Sequence, residues 1–254
     1  MKDLQIAAVG DLHCTPASQG KLQAVFGSLA GKADVLLLCG DLTDNGTPEE
    51  AKILAQELTR MVGGIPKLAV LGNHDYQTGH EAEVKQILCE AGVQLMDGDA
   101  TVIQGVGFVG VKGFAGGFGR RMLEPWGEGP IKAFVQEAVD ESLKLESALA
   151  KLHLNSRVVL MHYSPIEATV TGEPPELFPF LGCSRLEEPI NRHGVSSVFH
   201  GHAHYGTHQG ATREGIPVFN VAAPLLRRTR PDEPPIFFHA VSREDRRAPI
   251  NEDD

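Results

Sequence analysis

Ile65-Pro66-Lys67-Leu68-Ala69-Val70-Leu71-Gly72-Asn73-His74-Asp75 is an apolar run that stops at a glycine and turns polar at once. The run is short and flanked by Gly63, Gly64 and Gly72, so it reads as a buried strand that ends abruptly rather than as a helix. Asn73 then offers an amide oxygen able to bind a metal, and His74 a group able to give or take a proton near neutral pH. The same grammar recurs along the chain. Leu4–Val9 runs into Gly10-Asp11-Leu12-His13, and Val35–Leu38 into Gly40-Asp41-Leu42-Thr43-Asp44. Val158–Met161 delivers His162, and Val195–Phe199 delivers His200-Gly201-His202-Ala203-His204.

Between these strands the spacing turns helical. Leu22, Val25, Phe26 and Leu29 predict a helix over Ser18–Ala30. Thr47, Pro48 and Glu50 form an N-cap, a first-turn proline and a capping-box glutamate, which start a helix running to about Met61. Glu81–Glu90 is a third. Successive βα units predict a parallel, doubly wound sheet whose strand carboxyl ends converge on one edge. Thr101–Val111 reads as a hairpin beginning a second sheet, Ile131–Leu152 as a long amphipathic helix and Leu186–His193 as a short one. Ile216–Val221 and Ile236–Val241 complete the sheets. Residues 1–242 are expected to form one domain and residues 243–254 a charged, frayed tail. The glycine-rich stretch Gly113–Pro130 reads as a mobile surface loop. It is either an ordinary connection or a substrate lid, with Arg120 or Arg121 touching a phosphate and Trp126 stacking on a ring. Glu167–Arg185 is a second candidate lid, and either could equally meet a second subunit.

The 254 residues carry a formal net charge of -10, which argues against long-range attraction to nucleic acid or to an anionic membrane. The four cysteines are scattered and suit a reducing compartment. No stretch approaches the ~20 apolar residues that span a bilayer, and the first strand leaves little room for a leader, so a cytoplasmic location is expected.

Asp11, His13, Asp41, Asn73, His162, His202 and His204 together offer carboxylates, imidazoles and one amide oxygen. That mixture suits Mn2+, Fe or Zn2+ better than Ca2+ or a thiolate-selected metal. It exceeds one tetrahedral site and, if one carboxylate bridges, suffices for two divalent ions about 3.5–4 Å apart, a device for displacement at phosphorus.

Asp11-x-His13, Gly40-Asp41-x-x-Asp44, Gly72-Asn73-His74-Asp75, the isolated His162 and Gly201-His202-x-His204 resemble, in order and spacing, the calcineurin-like metallophosphoesterases. The resemblance implies an α/β fold: a four-layer αββα sandwich of two mixed sheets flanked by helices, with a dinuclear metal site at the strand carboxyl ends. It implies Asp11, His13, Asp41 and His204 on one ion, and Asp41, Asn73, His162 and His202 on the other, with Asp41 as the bridge. A bridging hydroxide would attack phosphorus, His74 would protonate the leaving oxygen, and the Asp44 carboxylate would orient His74. Asn73 would also touch the phosphate.

Members that dephosphorylate proteins carry an arginine immediately after that aspartate, where this chain has Asn45. The small size and Gly-Asn-His-Asp form look more like bacterial phosphodiesterases, including the class III cyclic nucleotide enzymes. The expected activity is therefore hydrolysis of a small phosphodiester, with a phosphomonoesterase as the alternative and a non-catalytic scaffold on the same fold as a reading of another class. His200 is assigned to the strand rather than to the metal, and Cys14 and Cys39 to buried packing.

Overall fold

The structure is a computed structural model and describes residues 2–243. The period-two alternation of its strands decides the layering. The strands are β1 (Leu4–Val9), β2 (Val35–Cys39), β3 (Lys67–Val70), β4 (Val93–Leu95), β5 (Asp99–Ile103), β6 (Val106–Gly110), β7 (Arg157–Leu160), β8 (Ser197–His200), β9 (Gln209–Ala211), β10 (Pro217–Asn220) and β11 (Phe237–Val241). They form one sheet in the order β11-β1-β2-β3-β4 and a second in the order β5-β6-β7-β8-β10-β9. Strands β1 to β4 run parallel, with β11 antiparallel on the edge; β6, β7, β8 and β10 run parallel, with β5 and β9 antiparallel on the two edges. Both sheets are therefore mixed.

Ile6, Ala8, Leu37, Leu68 and Val70 of the first sheet face Phe108, Val158, Leu160 and Phe199 of the second, and this inner layer is almost wholly excluded from water. The alternate residues face outward onto helices. Val9, Leu36, Leu38 and Ala69 pack on α1 (Gln23–Phe26), α2 (Pro48–Met61) and α3 (Glu81–Glu90) through Val25, Leu54, Leu58, Val84 and Leu88. Val109, Val159 and Val198 pack on α4 (Gly129–Ala150) and, beyond the single turn α5 (Phe178–Leu181), on α6 (Glu187–Arg192) through Leu145, Leu149 and Ile190. The chain closes with α7 (Ala223–Thr229) before β11. Each fully buried Leu, Ile or Val contributes about 1.5–3 kcal/mol. The layers are thus helix, sheet, sheet, helix, and no helix among the described residues is long and apolar enough to cross a membrane.

The capping box of α2 forms as expected, with Thr47 Oγ1 accepting from Glu50 N at 3.3 Å and Glu50 Oε2 accepting from Thr47 N at 3.2 Å. The hairpin β5–β6 turns at Gln104 (φ 49°) and Gly105 (φ 86°), the two positive-φ residues a tight hairpin needs.

The helix expected over Ser18–Ala30 shrinks to a single turn, α1. Leu22, Val25, Phe26 and Leu29 are buried as the stripe requires, but Gly20 (φ 75°) breaks the helix before it starts and Gly27 caps it after one turn. The two candidate lids are also not free loops, because they are joined to each other. Gly116 N donates to Pro179 O at 2.7 Å, Gly117 N to Gly182 O at 2.8 Å and Ser184 N to Gly117 O at 3.1 Å. Of the expected frayed tail, Arg243 is held 3.2 Å from Asp34 and the rest lies outside the described residues.

Candidate metal centre

Strands β1, β2 and β3 of one sheet and β7 and β8 of the other end at the same edge of the sandwich, and each hands its chain to a candidate ligand within a few residues. The backbone there is bent hard. Asp11 (φ 54°), His13 (φ 44°), Asp41 (φ 46°) and His202 (φ 69°) all lie in the left-handed region, and the one other non-glycine residue there among those described is Gln104 of the hairpin. Such conformations cost on the order of 1–3 kcal/mol each and persist where a site needs them.

Asp41 sits at the centre, nearly without exposure. Its Oδ1 lies 3.4 Å from Nε2 of His162 and accepts from His74 N at 2.9 Å, while Oδ2 lies 3.8 Å from Nε2 of His13 on the other side. One carboxylate thus faces two groups of ligands. On one side Asp11 Oδ1 is 2.9 Å from His204 Nε2, and His204 Nε2 is 3.4 Å from His13 Nε2. On the other, His162 Nε2 is 2.9 Å from Asn73 Oδ1. The ligand atoms of Asp11, His13 and His204 lie within 4.8 Å of one another, as do those of Asp41, His162 and His202, and those of His13, Asp41 and His74.

These contacts fit a cation. His162 Nδ1 donates to the Cys39 carbonyl at 3.1 Å, so its Nε2 carries a bare lone pair aimed at the amide oxygen of Asn73, a second acceptor. Two acceptors at hydrogen-bond distance repel unless positive charge lies between them. His202 Nε2 donates to the Phe180 carbonyl at 3.1 Å, which leaves the Nδ1 lone pair bare, and a ring nitrogen of His202 lies within 4.8 Å of ligand atoms of Asp41 and His162. Burial pushes His202 down to about 3, and burial also lowers His13 against the pull of Asp41 and Asp11. Both rings are therefore neutral donors of a lone pair at neutral pH. Burial works to raise the Asp11 carboxyl, but the His204 hydrogen bond and the neighbouring imidazoles outweigh it and hold the group below the usual carboxylate range.

Close backbone approach makes room for this. A Cβ on Gly72 would meet Asp41 Oδ1 at 2.2 Å, and one on Gly201 would meet Asp11 Oδ2 at 2.1 Å.

His74 stands beside the ligands, half-buried, its ring 4.6 Å from that of His13. Its Nδ1 donates to the main-chain carbonyl of Asp44 at 2.6 Å. The expectation that the Asp44 carboxylate orients this ring is corrected here: Oδ1 of Asp44 lies 3.2 Å from His13 Nδ1 instead. Asn45 turns inward, its amide nitrogen donating to Asp44 Oδ2 at 3.2 Å and Glu50 Oε1 at 3.1 Å.

A role the sequence reading missed belongs to Asp75. Fully buried, it accepts from Leu42 N (3.2 Å), Thr43 N (2.8 Å), Thr43 Oγ1 (2.6 Å) and Gly72 N (2.8 Å), clamping the Asp41 loop to the Asn73 loop. Its adjacency to His74 was the available signal. Lys112 was also missed: its carbonyl accepts from the His162 and Tyr163 nitrogens at 3.0 and 3.2 Å, and its ammonium lies over Phe114 and Tyr163. Arg120 and Arg121 sit on the exposed turn Gly119–Arg121, and Trp126 is 75% exposed.

The sequence profile of the calcineurin-like phosphoesterases matches residues 4–206. The chain is 27% identical over 217 residues to a probable cyclic nucleotide phosphodiesterase of Synechococcus sp., covering 82% of this chain and 76% of that one. Among solved structures it resembles a phosphopantetheinyl hydrolase of Mycobacterium tuberculosis, with a TM-score of 0.65 at 17% identity over 98% of this chain and 99% of that one. It also resembles a putative 5'-nucleotidase of Staphylococcus aureus, with a TM-score of 0.53 at 17% identity over 86% of this chain and 48% of that one.

Proposed function

The chain belongs to the calcineurin-like phosphoesterase family, and from that premise we propose that it hydrolyses a small phosphodiester at a pair of divalent cations. The observation that carries this reading is the two-sided Asp41, with His13 on one oxygen and His162 on the other. Asp11, His13, Asp41 and His204 would hold one cation, and Asp41, Asn73, His162 and His202 the second, with Mn2+, Fe or Zn2+ the metals such donors suit. Bound there, the cations supply Lewis acidity at the phosphoryl oxygens and a nucleophile drawn from water at neutral pH.

The chain's own residues do the rest. With Nδ1 committed to the Asp44 carbonyl, His74 presents Nε2 as the atom that passes a proton to the leaving oxygen. Asn73, beside His74, would orient the phosphoryl group as well as bind a cation. The inward-turned Asn45 leaves no arginine at the position that protein phosphatases use, and the Synechococcus relative's name supports a diester over a monoester. Four cysteines without a disulfide support a reducing, cytoplasmic setting.

The test compares Mn2+-loaded and chelator-stripped protein on bis-p-nitrophenyl phosphate and p-nitrophenyl phosphate. Metal-dependent turnover that favours the diester and is abolished in Asn73→Ala supports the reading. Preference for the monoester would replace it, and inactivity on both substrates, loaded or stripped, would favour a scaffold.

A further inference from the structure

Between the two joined segments lies a cavity of about 210 Å3, lined by Phe118, Leu123, Pro175 and Phe178, with Arg121 and Glu167 also in its wall. We propose that this cavity takes the neutral planar ring of one arm of the phosphodiester, a nucleobase or an aryl group. The inference rests on the diesterase reading and names the substrate class for it.

The cavity's shape is set in advance. Main-chain hydrogen bonds from Gly116 to Pro179 and from Gly117 to Gly182 hold its two walls together, so little ordering is left for the ligand to do. Its walls suit a ring. Phe118 and Phe178 stand edge to face, with centroids 6.5 Å apart and planes at 85°, and both line the cavity, where a further ring can pack on them in the same geometry. Its size suits only part of a ligand, since a complete small-molecule site spans about 300–1,000 Å3. One of its walls belongs to the segment that also touches the candidate metal centre. Phe178 is two residues from Phe180, whose carbonyl holds His202 at 3.1 Å, and two trans peptide steps span at most about 7.6 Å.

The charges narrow the ligand further. Glu124 is engaged by Arg185 at 3.3 Å, and Arg121 has no carboxylate within ion-pair distance among the described residues. In a protein of net charge -10 such a cation favours a ligand that is anionic overall. Glu167 in the same wall works against an arm bearing its own negative charge. A monoanionic diester with an uncharged ring satisfies both, and a ligand with a second phosphate in this position does not.

The experiment is isothermal titration of the Mn2+-loaded protein with diphenyl phosphate and, separately, dimethyl phosphate, read as the ratio of the two affinities. Burying one phenyl ring should make the native ratio roughly tenfold or more in favour of diphenyl phosphate. Phe178→Ala, which removes a wall, and Leu123→Trp, which fills the space from a partly exposed position, should each bring the ratio to within about threefold of one while manganese content stays unchanged. Leu123→Trp keeps the test decisive if Phe178→Ala loosens the segment. A native ratio near one, or a ratio that survives Leu123→Trp, overturns the assignment. A native protein that shows the full ratio yet leaves bis-p-nitrophenyl phosphate intact supports the ring site and sinks only the diesterase reading.

Discussion

Nδ1 of His74 donates to the main-chain carbonyl of Asp44 at 2.6 Å, while the carboxylate of the same residue lies 3.2 Å from Nδ1 of His13. Side-chain substitution at Asp44 therefore leaves the partner of His74 in place and strikes His13. Asp44→Asn is expected to weaken metal binding by roughly 10–100-fold, the usual effect of losing a group behind a ligand, without steepening the dependence of rate on leaving-group pKa. His74→Ala is expected to do the reverse. Its metal content stays native, and alkyl leaving groups suffer more than p-nitrophenolate because they need the proton. Dialysis with elemental analysis, together with rates on diesters of graded leaving-group pKa, checks both.

Gly72→Ala places a methyl group where Asp41 Oδ1 already stands, 2.2 Å away. Metal content should fall sharply while far-ultraviolet circular dichroism stays native, since the clash is at the loop after β3 and not in the sheet. Native metal content in this variant would place Asp41 elsewhere.

Asp75→Ala leaves the buried main-chain N–H groups of Leu42, Thr43 and Gly72 without their acceptor. At about 1–3 kcal/mol for each orphaned donor, and allowing for non-additivity, the expected loss of stability is roughly 3–5 kcal/mol. Urea unfolding of the metal-free protein measures it, and a loss under about 1 kcal/mol would show that the clamp is not needed.

Acid should loosen one surface network. Lys144 Nζ bridges Asp97 at 3.0 Å and Glu141 at 2.6 Å, tying α4 to the β4–β5 connection. Burial raises the Asp97 carboxyl, but the hydrogen bond and charge of Lys144, with Lys85, outweigh it and hold the group below 3.8. A carboxyl depressed in the folded state stabilises above its unfolded value and loses that contribution as pH falls through the folded one. Lys144, raised above 10.5, contributes in the opposite window and is lost only in strong base. The Asp97 side chain is 37% exposed, so solvent screening keeps its contribution below about 1 kcal/mol. The urea midpoint of Asp97→Asn should lie below native at pH 7 and converge with it toward pH 3.

Where side chains alone carry the signal, the sequence is informative. Val35–Leu38 followed by Gly40-Asp41 reads as a buried strand ending in a ligand because apolar continuity and an abrupt polar stop both lie in residue identity. Thr47 and Glu50 announce the α2 start for the same reason. Main-chain partners leave no such trace. Nothing in the residue types says that Gly116 N meets Pro179 O, so two seated segments read as loops, or that the carbonyl of Asp44 rather than its carboxylate holds His74. Strands β4 and β9 are three residues each, too short for a period to register.

The most direct test of the two-sided Asp41 is manganese stoichiometry by equilibrium dialysis, joined to electron paramagnetic resonance of the loaded protein, on native chain and Asp41→Ala. The expected result is two ions per chain with a spin-coupled signal, and loss of that coupling in Asp41→Ala. A single ion per chain, or two uncoupled ions that Asp41→Ala leaves in place, contradicts it.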